Sequence, residues 1–211
     1  VRLWLSGLHN GMITRNNLEI DFENKFINYW NLGMQVEINP ETYVDDDIYR
    51  DSRAFIIKDE AWRGLNIWFS TDQRKKYIIR PFYKINVGDG IDNNSRGDQT
   101  ELGVRLTLKP TNNISFSVNS SLENRPGFMQ WVDIVDGSDG KFFDSNGRYD
   151  IVYAKTKRSQ SNTKLRMNIA FNSRMTFEAF YQPFNVDMNY EDYYRLDEQN
   201  SFKTSSFNYS E

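Results

Sequence analysis

The sequence predicts an all-β fold: an antiparallel up-and-down transmembrane β-barrel, or part of one, with short periplasmic turns and long extracellular loops. Three observations carry that expectation. Every second residue from 30 to 38 is apolar (Trp30, Leu32, Met34, Val36, Ile38), and no residue between them is aliphatic. Such alternation marks a strand with one apolar and one polar face. Similar stretches recur along the chain, separated alternately by tight turns and long loops, as in barrels assembled from the periplasm. Aromatic residues sit near the ends of these stretches: Trp30, Phe69, Tyr77, Phe171 and Phe177 flank the tight turns, where amphipathic rings favour a membrane interface.

Taken in order, residues 1–8 and 18–23 read as strands around a polar loop holding His9, Asn10 and Gly11. In the second, Leu18, Ile20 and Phe22 oppose Glu19, Asp21 and Glu23. Residues 25–29 turn the chain, and 30–38 return. A long acidic loop with Asp45, Asp46, Asp47 and the Trp62 region precedes the strand marked by Leu65, Ile67 and Phe69. After a polar turn at 72–75, residues 77–87 are apolar at Tyr77, Ile79, Tyr83, Ile85 and Val87, with Pro81 in phase and Arg80 and Lys84 opposite. Residues 88–98 form a loop rich in Gly, Asp and Asn. Leu102, Val104, Leu106 and Leu108 mark the next strand, 109–113 a turn, and Ile114, Phe116 and Val118 the return. The longest connection is predicted at 123–159, with its own strand at 149–154. Leu165, Met167, Ile169 and Phe171 alternate with polar residues, 172–175 turn, and 177–182 return. A tyrosine-rich loop then precedes a last strand at 202–209. The sum is roughly ten strands, near the ~9–11 residues that cross an outer membrane at a tilt.

The chain has 211 residues, no cysteine, a formal charge of -3 and a mean hydropathy of -0.72. So low a hydropathy is compatible with a barrel, whose polar lumen offsets its lipid-facing side. No stretch approaches the ~20 apolar residues of a membrane helix. The absence of cysteine removes disulfide and thiolate–metal chemistry, and the small net charge gives no argument for nucleic acid as a partner. Val1 already lies in a strand pattern, so residues 1–211 are expected to be a single barrel segment, an interior fragment of a longer chain.

Several passages carry a family resemblance: residues 100–113 (TELGVRLTLKPTNN), 148–154, and 164–184 with its Tyr181-Gln182-Pro183-Phe184, followed by a polar loop and Phe202-Lys203. In this order they resemble an uncharacterised family of bacterial outer-membrane proteins that joins an N-terminal family-nine-like carbohydrate-binding domain to a large β-barrel. The resemblance implies that this chain is a portion of the barrel, with the carbohydrate-binding domain upstream and the terminal strands downstream. It implies a location in the cell outer membrane and an association with carbohydrate, but no reaction.

Candidate sites are few. Asp89 and Asp92 in one loop, and Asp136 and Asp139 in another, offer oxygen ligands at close spacing for calcium, although none of these loops has the full EF-hand ligand register. Turn chemistry explains the same residues. Trp62, Trp131, Tyr193 and Tyr194 fall in the predicted outward loops and offer rings that stack on sugars; loop packing is the plainer account. Inward Arg80, Lys84, Arg105, Lys164 and Arg166, with Glu19, Asp21, Glu23, Glu37 and Glu101, would tune a channel or brace a lumen with ion pairs. His9 is the sole histidine and has no obvious nucleophile beside it, so neither an enzyme nor a cofactor is expected.

The expected function is therefore passive: an outer-membrane barrel segment of a carbohydrate-associated surface protein, with a transport, binding or structural role. Its expected partners are outer-membrane lipid and either polysaccharide or other outer-membrane proteins. The alternative is a soluble all-β module that binds polysaccharide through loop aromatics. An uptake-complex subunit whose barrel docks onto partners fits the same pattern.

Overall fold

A computed structural model of the protein describes residues 1–8, 11–44, 51–88 and 97–209. His9, Asp45, Asp46, Asp47, Asp89 and Asp92 lie outside the described residues. The elements are β1 (Arg2–Gly7), β2 (Ile13–Lys25), β3 (Asn31–Asn39), β4 (Thr42–Val44), β5 (Ile57–Asp59), β6 (Trp62–Ser70) and β7 (Tyr77–Gly88). They continue as β8 (Gln99–Thr111), β9 (Ile114–Asp136), β10 (Phe142–Asp144), β11 (Gly147–Asn172), β12 (Met175–Tyr181), β13 (Phe184–Leu196) and β14 (Thr204–Ser206). The fold is all-β and antiparallel, as the alternation predicts, and no helix occurs among the described residues.

One 12-stranded sheet runs in the order β1-β2-β3-β6-β7-β8-β9-β11-β13-β14, with β12 beside the lower half of β11 and β10 beside its start. β4 and β5 form a separate hairpin between β3 and β6. The sheet is open rather than closed into a barrel: among the described residues β1 pairs only with β2, and no strand joins it to the far edge. The tight turns joining β2 to β3, β6 to β7, β8 to β9 and β11 to β12 all lie at one end. The longer connections lie at the other.

The strand expected at 149–154 is part of β11, and two stretches expected mainly as loops are strands. β9 continues through Asp136 and β11 starts at Gly147, so residues 123–159 form an extension of the β9–β11 hairpin that runs past the end of β8 and is flanked by β13. The tyrosine-rich segment is β13. Its register continues that of β12: Leu165 faces Tyr181 and Asn162 faces Phe184. The two would be one strand but for Pro183, which has no N–H to give the ladder; its carbonyl still accepts from Thr163 N–H at 3.1 Å. Of residues 202–209, only 204–206 are strand. Pairing slips on β11 gather between Val152 and Lys157, where bulges increase the local twist of the strand.

The buried core sits in that extension. Ile151, Val152, Ala154, Leu196 and Thr156 are fully buried. Ile151, Tyr149 and Tyr153 pack with Met129, Ile134, Phe142 and Leu196, covered by Phe55, Ile57 and Phe202. On the other face of the extension, the Tyr193 and Tyr209 rings meet at 4.9 Å. Most of the apolar side chains of β2–β8 belong to no such core.

Candidate functional site

Directly opposed residues in an antiparallel ladder share a face, so the register decides which side chains stand together. Phe22 faces Met34, Met34 faces Ile67, and Ile67 faces Tyr83. Tyr83 in turn faces Leu102, which faces Leu122. A second row runs Ile79, Leu106, Val118, Leu165 and Tyr181, and a third Tyr77, Leu108, Phe116 and Met167. These rows merge into one apolar face spanning β2 to β12. Among the described residues no second layer covers it: in the first row Phe22 is 51%, Leu102 59% and Leu122 63% exposed. A shallow hollow of about 360 Å³ on this face is lined by Tyr77, Ile79, Leu106, Leu108, Phe116 and Val118. Arg63 is in phase with this face, at its margin opposite Ile38.

The apolar stretch of β7, from Tyr77 to Val87, covers about 34 Å at ~3.4 Å per residue, or about 26 Å in height at a 35–45° tilt. At the tight-turn end the Trp30 and Phe69 rings meet edge to face at 5.1 Å, and Tyr77 and Phe171 are 70% and 57% exposed.

The opposite face is polar. Asp21, Glu23, Gln35, Asn66, Arg80 and Arg105, from β2 to β8, line one hollow of about 530 Å³. Its floor is flattened by glycine: Trp68 lies over Gly33, and Phe82 over Gly103. Acids and bases are zoned as well as paired. Arg2 bridges Glu19 at 2.9 Å and Asp21 at 2.8 Å, and Arg158 pairs with Glu123. Glu19 nevertheless faces Glu37, and Arg80 faces Arg105. Arg80 stands 5.6 Å over the Trp68 ring. Asn66 Oδ1 and Asn119 Oδ1 are buried without a hydrogen-bond partner.

Of the aromatic candidates, Trp62 is on β6, Trp131 on β9, and Tyr193 and Tyr194 on β13, so they sit on strands and not in loops. Each is half-buried. The register brings Trp131 and Tyr194 to either side of Tyr153, and both pack on the core of the extension. Tyr193 points to the other side, opposite Ala154, and Trp62 stands apart, opposite Asn39 and Gly88. Strict alternation does not extend to residues 123–136 and 184–196, so the sequence places Trp131, Tyr193 and Tyr194 in loops.

Asp136 accepts from Arg53 at 2.8 Å, and Asp139 lies in the turn after β9. Among the described residues no three His, Cys, Asp or Glu side chains converge on a metal-sized space. Arg53 also binds Asp51, whose backbone and side-chain bonds from Arg53 hold its carboxyl below the usual range. Tyr149 donates to the Arg53 carbonyl at 3.3 Å, and burial pushes its phenol up. These contacts fasten residues 51–53 to the extension.

No curated protein and no solved structure matches the chain. A family described as a domain of unknown function, DUF5916, matches residues 6–211, and the chain belongs to that family.

Proposed function

We propose that the chain is a wall segment of an outer-membrane β-barrel, with its apolar face to lipid, its polar face to an aqueous lumen and the β9–β11 extension outside the cell. The observation that carries this reading is the uncovered apolar face, continuous from β2 to β12. Water solvates such a face poorly, whereas lipid solvates it fully. The ~26 Å height fits the ~25 Å apolar band of such barrels. The open sheet edges at β1 and β12–β13 leave backbone groups that lipid cannot satisfy, so further strands complete the ring. A carbohydrate-associated role rests on the resemblance read in the sequence alone, with the extension as the part that would meet polysaccharide or a partner protein. A soluble polysaccharide-binding module would need a second apolar layer over the same face.

Fractionation of the cell envelope tests this reading, with heat-modifiable gel migration as the readout. Retention in the outer membrane with a folded-to-unfolded shift supports it. A soluble protein with no shift overturns it.

A further inference from the structure

We propose that the polar face binds an oxyanion, a phosphate or sulfate group, in the hollow between β8, β9 and β11. This goes beyond the function above, because the hollow opens on the polar side whether or not the other side meets lipid. Arg105 faces Asn119, and Asn119 faces Lys164, so the three stand in one row across adjacent strands. Arg166 is one step along the same face, opposite Ser117. Side chains so placed start ~5 Å apart and converge on a hollow of about 350 Å³. Its lining is Arg105, Ser117, Asn119, Lys164 and Arg166, and contains no carboxylate.

Among the described residues, none of these cations forms an ion pair; Arg166 is engaged only by the Phe180 ring, at 5.1 Å. The acids on this face lie outside the lining of the hollow. Glu123 is held by Arg158, Glu101 faces Lys84, and Glu178 stands beyond Arg166, opposite Asn168 on the sheet edge. Asp21 and Glu23 lie across the larger hollow, bound by Arg2 and Asn31. Arg80 directly opposes Arg105, and like charges so placed repel. An anion bridging the cluster relieves that repulsion. Two guanidinium forks, an ammonium, the Ser117 hydroxyl and the Asn119 amide suit a tetrahedral, multiply charged oxyanion.

The ligand is either a free ion or an ester on a sugar, and equilibrium dialysis of the full chain in detergent separates the two. The probes are radiolabelled inorganic phosphate and a sulfated disaccharide, with the unsulfated disaccharide as control. Saturable binding of either charged probe is expected, weakened about tenfold by Arg105→Gln or Lys164→Gln and unchanged by Lys75→Gln in a turn. Arg105→Lys keeps the charge but not the fork and is expected to bind more tightly than Arg105→Gln, which separates loss of the site from loss of the fold. Tighter phosphate marks a free-ion site, and tighter sulfated sugar an ester site. Absence of saturable binding by both probes overturns the proposal, as does wild-type binding by both glutamine variants in folded protein. The outcome is independent of membrane fractionation, so failure of one leaves the other standing.

Discussion

Trp68 lies across the backbone of Gly33 on the neighbouring strand, so closely that a β-carbon at Gly33 would stand 2.0 Å from the indole. Phe82 covers Gly103 in the same way, at 2.3 Å. Each ring shields a strand glycine that otherwise weakens the ladder. Gly33→Ala and Gly103→Ala are each expected to destabilise the protein by about 1–3 kcal/mol, the range of overpacking. Urea midpoints measure this, and adding Trp68→Ala to Gly33→Ala is expected to recover part of the loss through coupling of the two sites.

Met34 and Leu106 stand mid-strand on the uncovered apolar face. Met34→Arg or Leu106→Arg is expected to cost ~2–4 kcal/mol in membrane assembly. Gln35→Arg, one residue along and on the polar face, is expected to cost far less, because Glu19 and Asp21 are within reach of Gln35. The folded fraction recovered from membranes, read by gel migration, compares the three.

Ile151 is fully buried in the core of the extension. Ile151→Ala is expected to destabilise that region by about 2–5 kcal/mol while the sheet below stays intact. Hydrogen exchange provides the measurement: amides of β10 and of residues 149–154 gain exchange, and those of β3 and β6 do not.

Asp72 caps the turn between β6 and β7, accepting from the Arg74 backbone and guanidinium at 3.0 Å. Arg74 in turn lies 3.1 Å over the Tyr29 ring of the neighbouring turn. The Arg74 side chain beside it holds the Asp72 carboxyl at about 2, below its ordinary 3.8. A depressed folded pKa stabilises above the unfolded value and ceases to do so as pH falls through the folded value. The turn's contribution is therefore expected at full strength above about pH 4 and lost by about pH 2. The D72N variant removes that pH dependence, and acid titration of unfolding in wild type and variant checks it.

The sheet was legible in the sequence wherever polar residues separate apolar ones. Leu32 to Ile38, Tyr77 to Val87 and Leu102 to Leu108 each announce a strand, its face and its turn end. In the upper halves of β9 and β11 only the strand at 149–154 was legible; that β9 runs on to Asp136 and that β11 is continuous from Gly147 was not, because residues 123–136 and 155–159 lack the period of two. β13 was hidden for a different reason: its polar, tyrosine-rich sequence carries little apolar contrast, and Pro183 suggests a break where the register in fact continues. The cations were visible individually as an inward set. Their convergence was not, since Arg105, Asn119 and Lys164 become neighbours only through strand pairing.

The central claim is that one face of the sheet meets lipid and the other water. The chain contains no cysteine, so single cysteines report cleanly on each position. In intact outer membranes, cysteine at Met34, Ile67 or Leu102 is predicted to resist a water-soluble maleimide, because a thiol in lipid does not ionise. Cysteine at Gln35, Asn66 or Glu101 is predicted to react. Rapid labelling at the first three positions in folded protein would contradict a lipid-facing wall.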